Sequence, residues 1–254
     1  TQAKTAGQSF KAKLAEYQGT KLEQFSITDA KTAESIKADL LKQANGKLQI
    51  TKISKSQRKR QPAAPFTTST LQQEAVRKLG FTAQRAMRVA QQLYEGVDFG
   101  EGAVGLITYM RTDSVNLSEE ALSGLRTLIE DKYGKASLPD VPRLFKTKAK
   151  NAQEAHEAVR PTMPEVLPSK IKSALTPDQF KLYDLIWKRA VASQMIHATL
   201  DLVAIDFSCG AGNRFRSNGS TLVSPGFMQV YQEGVDDSKP KEEDEERLLP
   251  ALNE

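Results

Sequence analysis

Apolar and polar positions alternate in short runs near both ends of the chain and recur every three or four residues through its middle. Alternation marks a half-buried strand, and the longer period marks an amphipathic helix. Ser9 to Gly19 and Gly46 to Ser56 contain β-like segments, the second with Leu48 and Ile50 set against Gln49 and Thr51. Between them Ala33, Ile36, Leu40 and Leu41 keep helical spacing behind a cap at Thr28 or Asp29. Gln61 to Pro65, with two prolines, reads as an extended separator.

From Phe66 the helical period takes over. Ser69 to Leu79 stops at Gly80 and Thr82 to Tyr94 at Gly96, each with a polar cap, in the manner of a helix-turn-helix pair. Such pairs are plain packing units as well as DNA readers. A strand over Gly105 to Arg111 follows, then a capped helix from Ser118 to about Tyr133, then a long loop rich in Pro, Lys and Arg. Thr176-Pro177 opens another helix, whose stripe of Phe180, Tyr183, Trp187 and Val191 reads as core and not as a base-stacking platform, because its period is helical. Beyond His197 alternation returns, in one strand through Leu200, Leu202, Ala204, Ile205 and Phe207 and a hairpin-like second over Arg214 to Val223. The expected fold class is α+β. A discontinuous β-containing domain, residues 1–65 plus 197–254, receives a helical domain, residues 66–196, as an insertion.

Composition narrows the function classes. At 254 residues and 39% hydrophobic, the chain has enough apolar material for two cores. No apolar run approaches the roughly 20 residues of a membrane span, so a soluble, cytoplasmic protein without a membrane partner is expected. The lone Cys209 excludes an intrachain disulfide, and with only His156 and His197 beside it no zinc-type cluster can be assembled. A net charge of +5 permits a polyanionic partner without establishing one. Its distribution says more. Lys55, Arg58, Lys59 and Arg60 form a basic run that is either solvated linker or a DNA contact, whereas Asp236 to Glu246 is acidic, reads as linker, and would not lie along DNA.

The stretch that carries chemistry is Gly105-Leu106-Ile107-Thr108-Tyr109-Met110-Arg111-Thr112-Asp113-Ser114. On a strand, Leu106, Thr108 and Met110 share one face and Ile107, Tyr109 and Arg111 the other, so a phenol and a guanidinium point the same way just before a polar turn. A phenolic oxygen can attack phosphorus and conserve the bond energy in a phosphotyrosyl ester. Free tyrosine is only about one part in a thousand ionised at pH 7, a deficit of roughly 4 kcal/mol that a base or cation must offset. Arg111 is the local cation, its forked donors matching phosphate oxygens as charge accumulates. From pattern alone, such a pair on a strand is usually structural.

Ile107-Thr108-Tyr109-Met110-Arg111-Thr112-Asp113-Ser114 closely resembles the active-site segment of type IA DNA topoisomerases. Pro65-Phe66-Thr67-Thr68-Ser69-Thr70-Leu71-Gln72-Gln73 upstream and Ala155-His156-Glu157-Ala158-Val159-Arg160-Pro161 downstream match in the expected order, and Met110 is similar to the bacterial topoisomerase I branch. The resemblance covers essentially the whole chain and is weakest over the first sixty and last forty residues.

That resemblance implies a role for each matching position. Tyr109 is the nucleophile that becomes linked to the 5′ phosphate of a cleaved single strand, and Arg111 holds the scissile phosphate. Asp113 orients the site or contacts the metal domain, unless it is only a turn cap. His156 and Arg160, four apart on an expected short helix packed through Ala152, Ala155 and Val159 and ended by Pro161, meet DNA. Ser69, Thr70, Gln72 and Gln73 are read as helix capping with exposed amides. Arg77, Lys78, Arg85 and Arg88 are read as backbone contacts or merely solvated cations.

The resemblance also implies a winged-helix-like helical domain on a β-rich arch or hinge. The parent enzyme would relax negatively supercoiled DNA without ATP. Its Mg²⁺ would sit on an acidic Toprim domain that this chain is expected to lack, so that the fragment alone is expected to be inactive. Single-stranded DNA and the remaining domains of the same enzyme are the implied partners. Two other readings stand beside this one: a nonenzymatic winged-helix DNA-binding module with Tyr109 in its core, and a protein-docking fragment acting through charged tails.

Overall fold

The computed structural model describes residues 10–100, 102–146 and 157–234. In chain order the elements are β1 (Lys13–Tyr17), β2 (Thr20–Lys21), α1 (Ala30–Ala44), β3 (Gln49–Arg60), α2 (Thr68–Leu79), α3 (Ala83–Glu95), β4 (Val97–Asp98), β5 (Ala103–Val104), α4 (Glu119–Tyr133), α5 (Pro177–Ser193), β6 (Ala198–Ser208) and β7 (Arg214–Ser224). Short 3-10 turns occupy Lys135–Ser137, Lys172–Ala174 and Gly226–Gln229. Two compact units result: of the described residues, 10–59 and 199–223 make one, and 60–198 and 224–234 the other.

The first unit is a five-stranded sheet in the order β2-β1-β7-β6-β3, with α1 beside it. β1 runs antiparallel to β2 and to β7. Inward alternation on β6 buries Ile205 and Phe207, and Phe10 stacks on Phe207 with centroids 5.7 Å apart. Asp29 caps α1 by accepting the Thr32 N–H, but of the four apolar residues expected to bury, only Leu40 does so fully. Ile36 is half-buried, and Ala33 and Leu41 are exposed. The basic run differs from a linker: β3 continues through Lys55, Arg58 and Lys59 to Arg60. An edge strand needs no apolar alternation on its open side, and lysines there discourage pairing with another chain. The acidic run from Asp236 lies outside the described residues.

The second unit is helical. Thr67 and Thr176 form capping boxes at α2 and α5, Thr82 and Ser118 cap α3 and α4, and Gly80 closes α2 at φ 65°. The stripe of α5 packs as core through Tyr183, Trp187 and Val191, while Phe180 is half-buried. Tyr183 and Trp187 place their polar tips on the carbonyls of Val166 and Pro164, both at 2.8 Å. Arg189, only 4% exposed, donates to the Ala64 carbonyl at 2.5 Å and to Glu233 at 2.9 Å, and lies over the rings of Phe66 and Tyr231. Buried Glu74 accepts from Tyr231 and from the Gly234 N–H. The segment before α2 and the segment after the Gly226–Gln229 turn are therefore fastened to the same helices.

Asp206 on β6 is the buried charge of the sheet. Arg216 grips it at 2.7 and 2.8 Å and Arg214 at 3.1 Å, while Arg214 also holds Glu16 at 2.6 Å. The Arg216 hydrogen bonds hold the Asp206 carboxyl below its ordinary range, against the upward push of burial. A depressed carboxyl contributes stability that is present above the unfolded value, about pH 4, and lost as pH falls through the folded one. We expect Asp206→Asn to lower stability at neutral pH by about 1–3 kcal/mol and to flatten the acid limb, read by thermal denaturation between about pH 2 and pH 7. An unchanged acid limb would rule this pair out as its source.

Candidate active site

The stretch from Gly105 to Ser114 crosses the helical unit as extended backbone, fixed at each end by different partners. At its start Leu106 donates to the Leu93 carbonyl at 2.8 Å, at the end of α3. A Cβ on Gly105 would come within 2.6 Å of the Tyr94 carbonyl oxygen, so only glycine admits this approach. Ile107 forms an isolated antiparallel bridge with Pro161. This corrects the expected regular strand over Gly105 to Arg111. The bridge is made by the N–H groups of Thr108 and Thr162, and the ladder does not continue toward Tyr109 because Val159 gives its N–H to the Phe66 carbonyl.

Threonines take over where the ladder fails. Thr108 donates its N–H to the Arg160 carbonyl at 2.9 Å, and its hydroxyl donates to the Ala158 carbonyl at 2.6 Å and accepts the Arg160 N–H at 3.0 Å. Thr162 donates its N–H to the Leu106 carbonyl at 3.0 Å and its hydroxyl to the Gly105 carbonyl at 2.6 Å. At the N-terminus of α2, the Thr68 hydroxyl donates to the Met110 carbonyl and accepts the Thr112 N–H, both at 2.8 Å, while the Thr68 N–H reaches the Thr112 carbonyl at 2.9 Å. Val159 bridges Phe66 in turn. The three sequence strings around Phe66, Tyr109 and Val159 thus meet side by side.

From Tyr109 onward the side chains alternate. Met110, Thr112 and Ser114 are buried, and Tyr109, Arg111 and Asp113 are exposed. Tyr109 is 43% exposed, its ring edge-on to Tyr94 with centroids 5.4 Å apart. Ile107 departs from the expected face, since it is buried while Tyr109 is open. Arg111 and Met110 line one wall of a cleft of about 560 Å³ whose other wall is α3.

The part of the expected short helix that falls on Glu157 to Pro161 is also corrected. His156, Ala152 and Ala155 lie outside the described residues, and Glu157 to Pro161 is extended. Its backbone donors go elsewhere, Ala158 to the Asn116 carbonyl and Val159 to the Phe66 carbonyl, so these described residues are not part of a helix. The Arg160 side chain is 12% exposed, bound to Glu157 at 2.6 Å and to the Pro161 carbonyl at 2.9 Å, with Nε buried and unmatched. Burial pushes the Glu157 carboxyl up, but hydrogen bonds from Arg160 and from Ser118 outweigh it and hold it below the carboxylate range. Among the other flagged cations, Arg85 forms two 2.8 Å bonds with Asp178, Arg77 pairs with Glu74, and Lys78 reaches the Gln232 carbonyl and lies over Tyr231.

Sequence reasoning missed Thr68, Thr108, Thr162 and Gly105 as positioning residues. Thr68 and Thr108 stand in the sequence only as members of a string and Thr162 in none, because their partners are carbonyls 42, 50 and 57 residues away. Gly105 carried the single available signal, a glycine opening a β-like run.

Comparison with known proteins gives one consistent result. The family described as DNA topoisomerase matches residues 2–254. DNA topoisomerase 1 of Xylella fastidiosa (strain 9a5c) is 52% identical over 246 residues, covering 96% of this chain and 30% of that protein. DNA topoisomerase 1 of Rickettsia bellii (strain RML369-C) is 49% identical over 248 residues, with the same 96% and 30% coverage. The structure of full-length topoisomerase I from Thermotoga maritima superposes with a TM-score of 0.69 at 33% identity, over 90% of this chain and 36% of that one. The chain spans about 30% of the length of the curated relatives it matches.

Two substitutions test the scaffold. Gly105→Ala forces the segment away from α3, and Thr68→Val strips two backbone groups of their partner. Each should cost about 1–3 kcal/mol, seen as a lowered thermal midpoint. A wild-type midpoint in both variants would mean that the segment is held some other way.

Proposed function

The chain belongs to the DNA topoisomerase family, and from that premise we propose that it supplies the tyrosine side of a type IA strand-cleavage site. The observation that supports this most is the exposed Tyr109 phenol, sharing the open side of an extended segment with Arg111 where three distant strings converge.

In the proposed reaction the Tyr109 oxygen gives up its proton and attacks the phosphorus of a single-stranded DNA phosphodiester. A tyrosyl O–P bond forms, the bond from phosphorus to the 3′ oxygen of the preceding nucleotide breaks, and that oxygen takes a proton to leave as a 3′ hydroxyl. The 5′ phosphate stays on Tyr109. Resealing reverses the same steps without ATP, and passage of a strand between them relaxes negative supercoils. Arg111 holds the phosphate oxygens and offsets charge gathering on them. Asp113, exposed on the same side, orients Arg111 or meets a neighbouring domain. His156 contributes a phosphate contact. Arg160 was expected to reach DNA directly; with its guanidinium committed to Glu157, we assign it the organisation of that segment.

Among the described residues no group of three or more His, Cys, Asp or Glu side chains is arranged to hold a metal ion. The chain's described residues do not fit a resident Mg²⁺ site, and we assign that ion to a Toprim domain of the full-length protein. The remaining domains of that protein are the proposed partners, with the helical unit as a winged-helix-like body on a β-rich arch, acting in the cytoplasm on the nucleoid. Among the described residues no helix is long and apolar enough to cross a membrane.

In the full-length protein, Tyr109→Phe should abolish the covalent protein–DNA adduct on denaturing gels while leaving noncovalent single-strand binding largely intact. An adduct that persists in the variant would overturn the assignment of the nucleophile, and a wild-type protein that forms none would favour a nonenzymatic DNA-binding module.

A further inference from the structure

Gln84, Arg88, Gln91 and Glu95 lie at i, i+4, i+7 and i+11 on α3 and so share one face of the helix. That face forms a wall of the cleft whose opposite side is Met110 and Arg111. Most arginines of the helical unit are already engaged: Arg77 with Glu74, Arg85 with Asp178, Arg126 and Arg143 with carbonyls, Arg160 with Glu157 and Arg189 with Glu233. Arg60 is engaged as well. Arg88 and Arg111 differ, because neither makes a hydrogen bond or ion pair among the described residues, and both open onto the same cleft. Arg88 feels Asp178 only through the longer-range field, since that carboxylate is taken by Arg85. Glu95, the cleft's one carboxylate, accepts from the Gln91 amide at 2.7 Å.

Two guanidiniums with unspent donors facing one polar cleft make a site for phosphodiester oxygens. The geometry points to a second phosphate subsite on α3: Arg88, with the Gln84 amide beside it, holds a backbone phosphate of the same single strand whose neighbouring phosphate Arg111 presents to Tyr109. The inference rests on the strand-cleavage reading for the identity of the ligand. The cleft begins at Met110 and Arg111, so a chain of phosphates entering it continues directly from the residue next to Tyr109. Arg88 has no part in the chemistry; it fixes the register of the strand.

The test is a titration of the 254-residue chain against a fluorescent single-stranded oligonucleotide over a range of NaCl concentrations. Arg88→Gln should weaken binding by roughly 3- to 10-fold and reduce the slope of log affinity against log salt by about 0.7, the value for one phosphate contact on a single strand. Arg88→Lys, which keeps the charge, should restore the slope, and circular dichroism should show an unchanged fold, since Arg88 is exposed. If Arg88→Gln keeps the wild-type affinity and slope, or if the wild-type chain shows no salt-dependent binding, the subsite is refuted. Adduct formation by Tyr109 in the full-length protein is scored separately. A normal adduct with an indifferent Arg88 removes the subsite alone, whereas a slope change at Arg88 with no adduct leaves a strand-binding cleft and removes the nucleophile.

Discussion

Tyr109 stands where it does because a length of irregular backbone inside the helical unit has to satisfy its own hydrogen-bonding groups. A regular strand would meet that requirement with a neighbouring ladder, but here the ladder is a single pair, Ile107 with Pro161. The debt passes to side chains: Thr108 and Thr162 tie the segment to residues 158–162, and Thr68 ties it to the first turn of α2. Threonine suits this because one hydroxyl both donates and accepts, and its β-branched carbon keeps the oxygen in few rotamers. Three short side chains thereby tie down the segment, leaving Tyr109 and Arg111 exposed while Met110 between them is buried.

The same economy separates committed from uncommitted charge. Arg160 and Glu157 neutralise each other, and Glu157 also receives the Ser118 N–H at the start of α4. The pair therefore locks the third string to a helix end and leaves no net charge there. Arg85 is likewise held by Asp178. Two guanidiniums, Arg88 and Arg111, stay uncommitted on the cleft beside Tyr109, against Glu95 in its lining and Asp113 exposed on the same side. A polyanion approaching this unit meets a local contrast that the modest overall charge of +5 does not reveal.

Much of this was legible in the sequence and some was not, for identifiable reasons. Helices α2 to α5 announce themselves by polar N-caps, and α2 to α4 also by terminal glycines, information that is local. β6 and β7 show as alternation because each has one buried face. The end of β3 was hidden, since an edge strand of Lys and Arg carries no apolar period, and the two-residue strands β2, β4 and β5 are too short to show one. At the site, the exposure of Tyr109 and Arg111 followed from alternation, but the burial of Ile107 did not, because its environment is set by Pro161. The extended form of Glu157 to Pro161 was misread as helix: spacing cannot reveal that its N–H groups are claimed by Asn116 and Phe66.

Arg189 gives the helical unit a clasp. Through one buried guanidinium it grips the Ala64 carbonyl on the way into the unit and Glu233 near the last described residues. Both connections are anchored on α5, a helix with ten buried residues, Leu182, Tyr183, Leu185 to Trp187 and Arg189 to Ser193. One side chain of α5 thereby joins the residues just before α2 to those just after the Gly226–Gln229 turn.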